Sequence, residues 1–350
     1  MTTARRSRRS SSAVTLHDVA REAGVSPMTV SRVIGGVSTV NDEMRERVKS
    51  TIVRIGYSPN PAARRLASGD VLRIGVLYGN PSASFTSQLL VGLAESGGSL
   101  GCQLVLEKCP HPARWRTGAG RLIDAGVNGV VVPAPLCDDP KLVAGFEDAS
   151  VPTVALGTGQ DTASALALRI DNRGAAAKMT RHLLAMGHRR IGFIVGHAGQ
   201  ADSIQRREGF AAAMAAGQAP IRPEWIVQGD YSYRSGILAA ERLLALEERP
   251  TAIFASNDEM AAGALAAAHR AGLDVPRELG IAGFDDTALA TTIWPALTTI
   301  RQPIGDMAAR ALAALVDHVR GRRGGASSPG ARELVPLRLI ERESVTRLFD

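Results

Sequence analysis

The stretch TLHDVAREAGVSPMTVSRVI, Thr15 to Ile34, constrains this chain more than any other, because its pattern fits two short helices joined by a sharp turn. Thr15 can cap a first helix, and Asp18 three residues later suits the N-terminal turn of a capping box. Leu16, Val19, Ala20 and Ala23 fall at i, i+3, i+4 and i+7, which makes one apolar stripe. Gly24 can stop the helix at positive φ, Val25 offers an apolar plug for the turn, and Ser26 can cap a second helix with Pro27 at its first position. Val30, Val33 and Ile34 then face the first helix. Pro27, Met28, Ser31 and Arg32 are left outward near the start of the second, where a recognition helix meets base edges.

A helical hairpin with a turn glycine fits the interior of a globular protein equally well. The residues that follow shift that balance. Asn41 can cap a third helix, with Asp42 and Glu43 in the first turn where the helix dipole favours anions. Met44, Val48, Ile52 and Ile55 make its buried face, and Gly56 ends it. Three helices in so few residues lie near the lower limit for a self-sufficient core.

Charge supports a nucleic-acid partner. Residues 1–70 carry 12 basic against 6 acidic side chains, leaving 29 against 28 for the remainder of the 350 residues. A compact positive module neutralises phosphates, so its binding should weaken steeply with salt. The sequence is 45% hydrophobic and 21% charged, ordinary for a chain of two or three soluble domains. No apolar run approaches the roughly 18 residues that span a bilayer. Arg5, Arg6, Arg8 and Arg9 are followed by no apolar segment, so no secretory signal is expected, and a cytoplasmic location is. Cys102, Cys109 and Cys137 form no pair with metal or redox spacing and read as reduced thiols. His188, in Gly-His-Arg-Arg, reads as a surface or turn histidine. No metal, cofactor or catalytic residue is expected.

Residues 1–13 read as a disordered basic arm. After a helical domain at 14–58, Asn60 can cap and Pro61 start a two-turn helix that Gly69 closes, a hinge at 59–69. It is well short of the ~12 residues at which isolated helices become marginally stable, so it should order only when something packs on it.

The run V-T-L-x-D-V-A-x-x-A-G-V-S-x-x-T-V-S-R-V, followed by G-Y-x-P-N-x-x-A-R-x-L, resembles the lactose-repressor (LacI/GalR) family of bacterial transcription regulators. The resemblance is dense over Val14 to Leu66 and continues diffusely to Ser344. It implies DNA contacts from Thr15, Ser26, Pro27, Met28, Thr29, Ser31, Arg32, Tyr57, Asn60, Ala63 and Leu66, the leucine acting as a wedge in the minor groove. Two departures stand out. Gly35-Gly36 replaces a polar residue that often follows the recognition helix, and Pro27 and Met28 bring no hydrogen-bond donor. Base reading should therefore rest on Arg32 to guanine and on apolar contact with thymine methyls.

From Val71 the texture changes to short apolar strands alternating with helices, which argues for parallel sheets covered on both faces. The expected fold class is α/β: a three-helix helix-turn-helix domain and hinge helix, then a two-lobed periplasmic-binding-protein-like core of doubly wound parallel sheets at 70–346. The N-lobe should comprise about 70–168 and 303–331, the C-lobe about 171–301 and 332–346. Crossings are expected near Asp171, Gln302 and Arg332, with a last strand from Leu334 to Glu341.

Ligands in open α/β sheets bind beyond the carboxyl ends of strands. Ser256-Asn257-Asp258 follows one predicted strand and Asp285-Asp286 another, although each could instead cap a helix or serve a turn. By resemblance, Arg206, Asn257 and Asp285 hold effector hydroxyls or a carboxylate, while Phe85, Tyr231 and Gln302 close the pocket. An enzyme reading fails on motifs. There is no phosphate-binding G-x-x-x-x-G-K, no G-x-S-x-G, and Gly157-Thr158-Gly159 lacks the third glycine of a dinucleotide site. A transport receptor would not carry Thr15 to Gly69. The expectation is a homodimeric repressor on a pseudo-palindromic double-stranded DNA operator, controlled by a small-molecule effector. A sugar or sugar acid is the first expectation, and a purine-type corepressor the alternative. No leucine-heptad extension follows the last strand, so a dimer is expected and not a tethered tetramer.

Overall fold

The computed structural model describes residues 15–34, 41–57, 71–109, 114–159, 164, 166–323 and 332–348. The chain divides into two compact units, Met1–Val71 and Leu72–Asp350.

In the first unit, α1 (Leu16–Ala23), α2 (Pro27–Ile34) and α3 (Asp42–Arg54) pack on one another. The capping box forms: the Asp18 amide donates to the Thr15 hydroxyl, and the Thr15 amide donates to the Asp18 carboxylate at 3.0 Å. The Thr15 hydroxyl also donates to the Asp18 carboxylate at 2.7 Å, and this bond, first among several causes, holds that carboxyl below the usual carboxylate range. Gly24 has φ 64°, a left-handed conformation that costs a residue with Cβ. It lets the Val25 amide reach back to the Ala20 carbonyl at 3.0 Å, so α2 leaves at a sharp angle. Val19, Ala20, Ala23, Val30, Val33 and Val48 are the buried core, with Met44, Ile52 and Ile55 partly buried around it. Thr51, not anticipated as a core residue, is buried too, because its hydroxyl donates to the Arg47 carbonyl one turn back at 2.8 Å.

The second unit begins with β1 (Leu72–Tyr78), α4 (Ala83–Leu100), β2 (Cys102–Lys108), α5 (Trp115–Asp124), β3 (Gly129–Pro133), α6 (Pro140–Asp148), β4 (Thr153–Thr158) and β5 (Leu166–Ile170). It continues with α7 (Asn172–Ala185), β6 (Ile191–Val195), α8 (Ala201–Ala216), β7 (Ile226–Gln228), α9 (Tyr233–Leu244), β8 (Ala252–Ala255), α10 (Asp258–Arg270) and β9 (Gly280–Asp285). Last come α11 (Leu289–Thr292), β10 (Thr298–Arg301), α12 (Ile304–Arg323), β11 (Arg332–Val335) and β12 (Arg338–Ile340).

Two six-stranded sheets result, ordered β11-β5-β4-β3-β1-β2 and β12-β10-β9-β8-β6-β7. Every pairing is parallel except β10 with β12. Both faces of each sheet are covered, as parallel sheets require. On the first, Ile74 and Val76 pack with Leu89 and Leu93 of α4 and Leu312 of α12, while Leu77 on the other face meets Leu122 and Phe146 of α5 and α6. On the second, Phe193 stacks on Phe210 of α8 at 4.7 Å and meets Phe254 edge-on at 5.3 Å. Ile194, Ile253 and Ile281 bury the opposite face under α9 and α10.

The expected last strand, Leu334 to Glu341, is in fact two. β11 joins the N-lobe sheet beside β5, and β12 joins the C-lobe sheet beside β10. The third crossing therefore falls after Val335 and not near Arg332, and residues 332–335 belong to the N-lobe. Pro336 lies between the two strands, and a proline cannot donate to either ladder. The N-lobe also keeps all of β5, to Ile170, two residues beyond the expected boundary.

Small residues set the helix spacing in the C-lobe. A Cβ on Gly263 would lie 2.2 Å from the Tyr233 carbonyl oxygen, and one on Gly236 would lie 2.3 Å from that of Met260. Gly263→Ala must push α9 from α10, and overpacking of this kind costs about 1–3 kcal/mol. Its urea-unfolding midpoint should fall with an unchanged slope; a wild-type midpoint would show that the helices separate freely.

Candidate functional site

Unit one presents the outward face expected of α2. Thr15, Ser26, Pro27, Ser31 and Arg32 are exposed, and Met28 is 64% exposed. Thr29 is half-buried, with its amide donating to the Ser26 hydroxyl at 3.1 Å and its own hydroxyl 2.9 Å from it, so these two close the start of α2. Tyr57 packs on the small core. The arm, Gly35-Gly36, and Asn60, Ala63 and Leu66 of the hinge lie outside the described residues.

In the second unit, the carboxyl ends of both sheets converge on one cavity. Asn80 and Ser82 follow β1, Ala134 follows β3, Gly157 lies in β4, and Ile170 ends β5. From the other lobe come Asp202 and Arg206 of α8, Tyr231 after β7, Asn257 after β8 and Asp285 at the end of β9; Gln302 and Phe85 complete the lining. All six residues expected at the cleft therefore meet. The cavity has a volume of about 20 Å³, room for a single water, so any larger ligand must enter through parted lobes.

Arg206 is 4% exposed. Its Nε donates to Asn172 Oδ1 at 2.8 Å, its Nη1 donates to the Ser256 carbonyl, and its Cζ lies 3.7 Å above the centre of the Phe284 ring. Nη2 stands 3.9 Å from Asp285 Oδ1. Burial pushes the Asp285 carboxyl well above its ordinary range, against the opposing pull of Arg206. Asp285 (φ 108°), Asp286 (φ 57°) and Tyr231 (φ 73°) all adopt positive φ, a cost that surrounding structure must hold in place.

Tyr231's hydroxyl is 2.8 Å from that of Ser203, and burial pushes its pKa up. Asn257 caps α10: its Oδ1 accepts from the Met260 amide at 2.9 Å and its Nδ2 donates to the Tyr231 carbonyl at 3.0 Å. One amide hydrogen and one lone pair remain for a ligand. Asp286 instead serves the turn, pairing with Arg342 at 2.6 Å and with Arg301. Gln302 is 4% exposed, and its Oε1 has no hydrogen-bond partner among the described residues. A buried acceptor left in that state costs about 1–3 kcal/mol, so it marks a place where a donor belongs.

Asp258 points away from the cavity's chemistry. Its Oδ2 accepts from the Thr287 amide at 2.7 Å and its Oδ1 from the Thr299 hydroxyl at 2.6 Å, which ties α10 to β10 and to the loop after β9. Burial pushes its carboxyl up to about 7 despite those bonds. A folded-state pKa above the unfolded value of about 4 means a stabilising contribution that is complete below that value and lost as pH rises through 7. Asp258→Asn removes this titration. Relative to wild type, the variant should gain stability between pH 5 and pH 8 in urea melts; parallel curves would refute the assignment.

His188 is not a surface residue. It is 1% exposed, its ring nitrogens lying 3.1 Å from the Thr251 hydroxyl and 3.1 Å from the Thr346 carbonyl, and burial lowers its pKa. It pins the C-terminal segment to the C-lobe, a contact between distant residues that the Gly-His-Arg-Arg context does not reveal.

Sequence reasoning missed Asn80, Ser82 and Asp202. Asn80 and Ser82 follow the first strand of the core, so the strand-end rule that found Asn257 and Asp285 would have found them. Asp202 sits in the first turn of α8, one turn before Arg206, and had no comparable signal.

Residues 15–60 match the lacI family of bacterial regulatory proteins, and residues 180–345 match a periplasmic binding protein-like domain. The chain is 34% identical over 308 residues to catabolite control protein A of Priestia megaterium, spanning 87% of this chain and 92% of that relative. It is 35% identical over 336 residues to the HTH-type transcriptional repressor PurR of Pectobacterium carotovorum, spanning 95% and 96%. Among solved structures, the lac repressor dimer bound to operator and the anti-inducer ONPF has a TM-score of 0.77 at 28% identity, spanning 96% of this chain and 100% of that one. A transcriptional regulator CelR–cellobiose complex has a TM-score of 0.69 at 28% identity, spanning 95% and 99%. These relatives are regulators and not enzymes, and the likeness runs through head and core alike. Identity of this extent and coverage shows that the chain belongs to the lacI family of bacterial regulatory proteins, as a DNA-binding transcription regulator with an effector-binding core.

Proposed function

We propose that this regulator is a homodimeric repressor whose paired heads read a pseudo-palindromic operator through Thr15, Ser26, Pro27, Met28, Thr29, Ser31, Arg32 and Tyr57. A neutral sugar in the core cavity controls it. The hinge at 59–69, with Asn60, Ala63 and Leu66, carries the effect to the DNA. The effector shifts operator affinity only by its differential affinity for two lobe arrangements. The solved dimer of a relative on its operator supports the assembly.

The observation that carries the ligand reading is the Oε1 of Gln302, buried and without a hydrogen-bond partner among the described residues, beside the Asp285 carboxyl group whose oxygen stands 3.9 Å from Arg206. Such a wall calls for a donor-rich ligand, and adjacent hydroxyls supply donors. The charged lining groups are Asp202, Arg206 and Asp285, so the wall has no net positive charge in either protonation state of Asp285. That disfavours a sugar acid relative to a neutral sugar. The cellobiose bound by a relative agrees with this reading.

A thermal-shift panel of neutral sugars, sugar acids and purines tests it. Ligand at ~100 times Kd adds about 2.7 kcal/mol to stability. Neutral sugars alone should raise Tm; a shift confined to sugar acids or purines would sink the reading.

A further inference from the structure

Two side chains of the C-lobe cross the cleft without lining the cavity. Glu259, in the first turn of α10, reaches the start of α4 in the N-lobe: its Oε1 accepts from the Ser84 amide at 2.7 Å and from the Ser82 hydroxyl at 3.1 Å. The Ser82 hydroxyl in turn accepts from the Phe85 amide at 3.2 Å, so the carboxylate completes the cap of an 18-residue helix whose N-terminus favours an anion. On the other lobe-to-lobe contact, Gln205 Nε2 donates to the Gly159 carbonyl at 3.1 Å, and its Oε1 accepts from Asn172 Nδ2 at 3.4 Å. Asn172 also holds Arg206, which couples this clasp to the cavity wall. A Cβ on Gly159 would lie 2.0 Å from Gln205 Oε1, so only a residue without one leaves room for the contact.

We propose that Glu259 and Gln205 are positioning residues that hold the two lobes shut around the effector cavity. Neither side chain lines the cavity, and because the closed cavity has room for a single water, a larger ligand enters only when these clasps release. They set the ratio of closed to open core, and ligand affinity scales with the fraction that is binding-competent. This inference goes beyond the ligand reading and does not depend on which effector binds.

The test uses the full chain without ligand. Spin labels are introduced by unnatural amino acids at the exposed Ser99 and Glu247, one in each lobe, and the labelled chain is diluted with unlabelled chain so that distances within one protomer dominate. Pulsed EPR should give a single distance population for wild type. Glu259→Ala should add a longer-distance population, with the closed-to-open ratio falling about tenfold, the effect of losing charge-assisted hydrogen bonds. Glu259→Gln keeps an acceptor for Ser84 but not the charge, so it should fall between wild type and Glu259→Ala. Gly159→Ala displaces the flexible end of Gln205 and crowds Asn172 Nδ2, 3.0 Å from the new Cβ, without meeting backbone, so the core should fold and open as in Gln205→Ala. Wild-type distances in Glu259→Ala and Gly159→Ala overturn the proposal, and so does Glu259→Gln opening as far as Glu259→Ala. Failure of the sugar panel leaves these distances unaffected, so the two readings fall separately.

Discussion

Replacing Arg206 with alanine should abolish the thermal shift produced by any sugar that stabilises the wild type and should also lower stability by about 3–5 kcal/mol, the cost of removing one member of a buried charged network. The reason lies in what the guanidinium holds. Asn172, the Ser256 carbonyl and Asp285 all meet it, and the Phe284 ring lies beneath it. Alanine would leave two buried acceptors, Asn172 Oδ1 and the Ser256 carbonyl, and a carboxyl with no cation. Arg206→Lys restores a charge but not the planar fork, so it should recover part of the stability and little of the ligand response. Urea melts and ligand titrations on the same samples separate the two effects. Wild-type stability in Arg206→Ala would show that the network is not under load.

Arg32→Ala should weaken operator binding by about 1–3 kcal/mol per head and relax preference at one base pair. Arg32 is exposed on α2, and its neighbours Pro27 and Met28 can offer bases only apolar contact. Arg32→Lys should keep the salt dependence of binding, because the charge persists, yet lose the bidentate match to guanine. Selection from random duplexes reads both quantities. An unchanged preferred sequence in Arg32→Ala would place recognition elsewhere on the head.

The head was legible because its signals are local. Thr15 and Asp18 cap a helix they belong to, and Gly24 turns the chain at its own φ. The strands were legible for the same reason: Gly129 to Pro133 is apolar throughout, and every residue of it is buried. Strand ends pointed to Asn257 and Asp285, and the family resemblance to Arg206, Phe85, Tyr231 and Gln302, whereas Asp202, on a helix, had neither signal.

What the sequence determined by itself is whatever depends on neighbours within about one helical turn or one strand: caps, stops, apolar stripes, and the alternation that makes two parallel sheets. Tertiary structure alone decided the rest. It divided Leu334–Glu341 between two sheets, buried His188 against Thr346, assigned Asp258 to fastening, and brought Glu259 to the N-terminus of α4. Each of these joins residues far apart in the chain, and both a carboxylate's pKa and its role are set by burial and partners that no local pattern encodes.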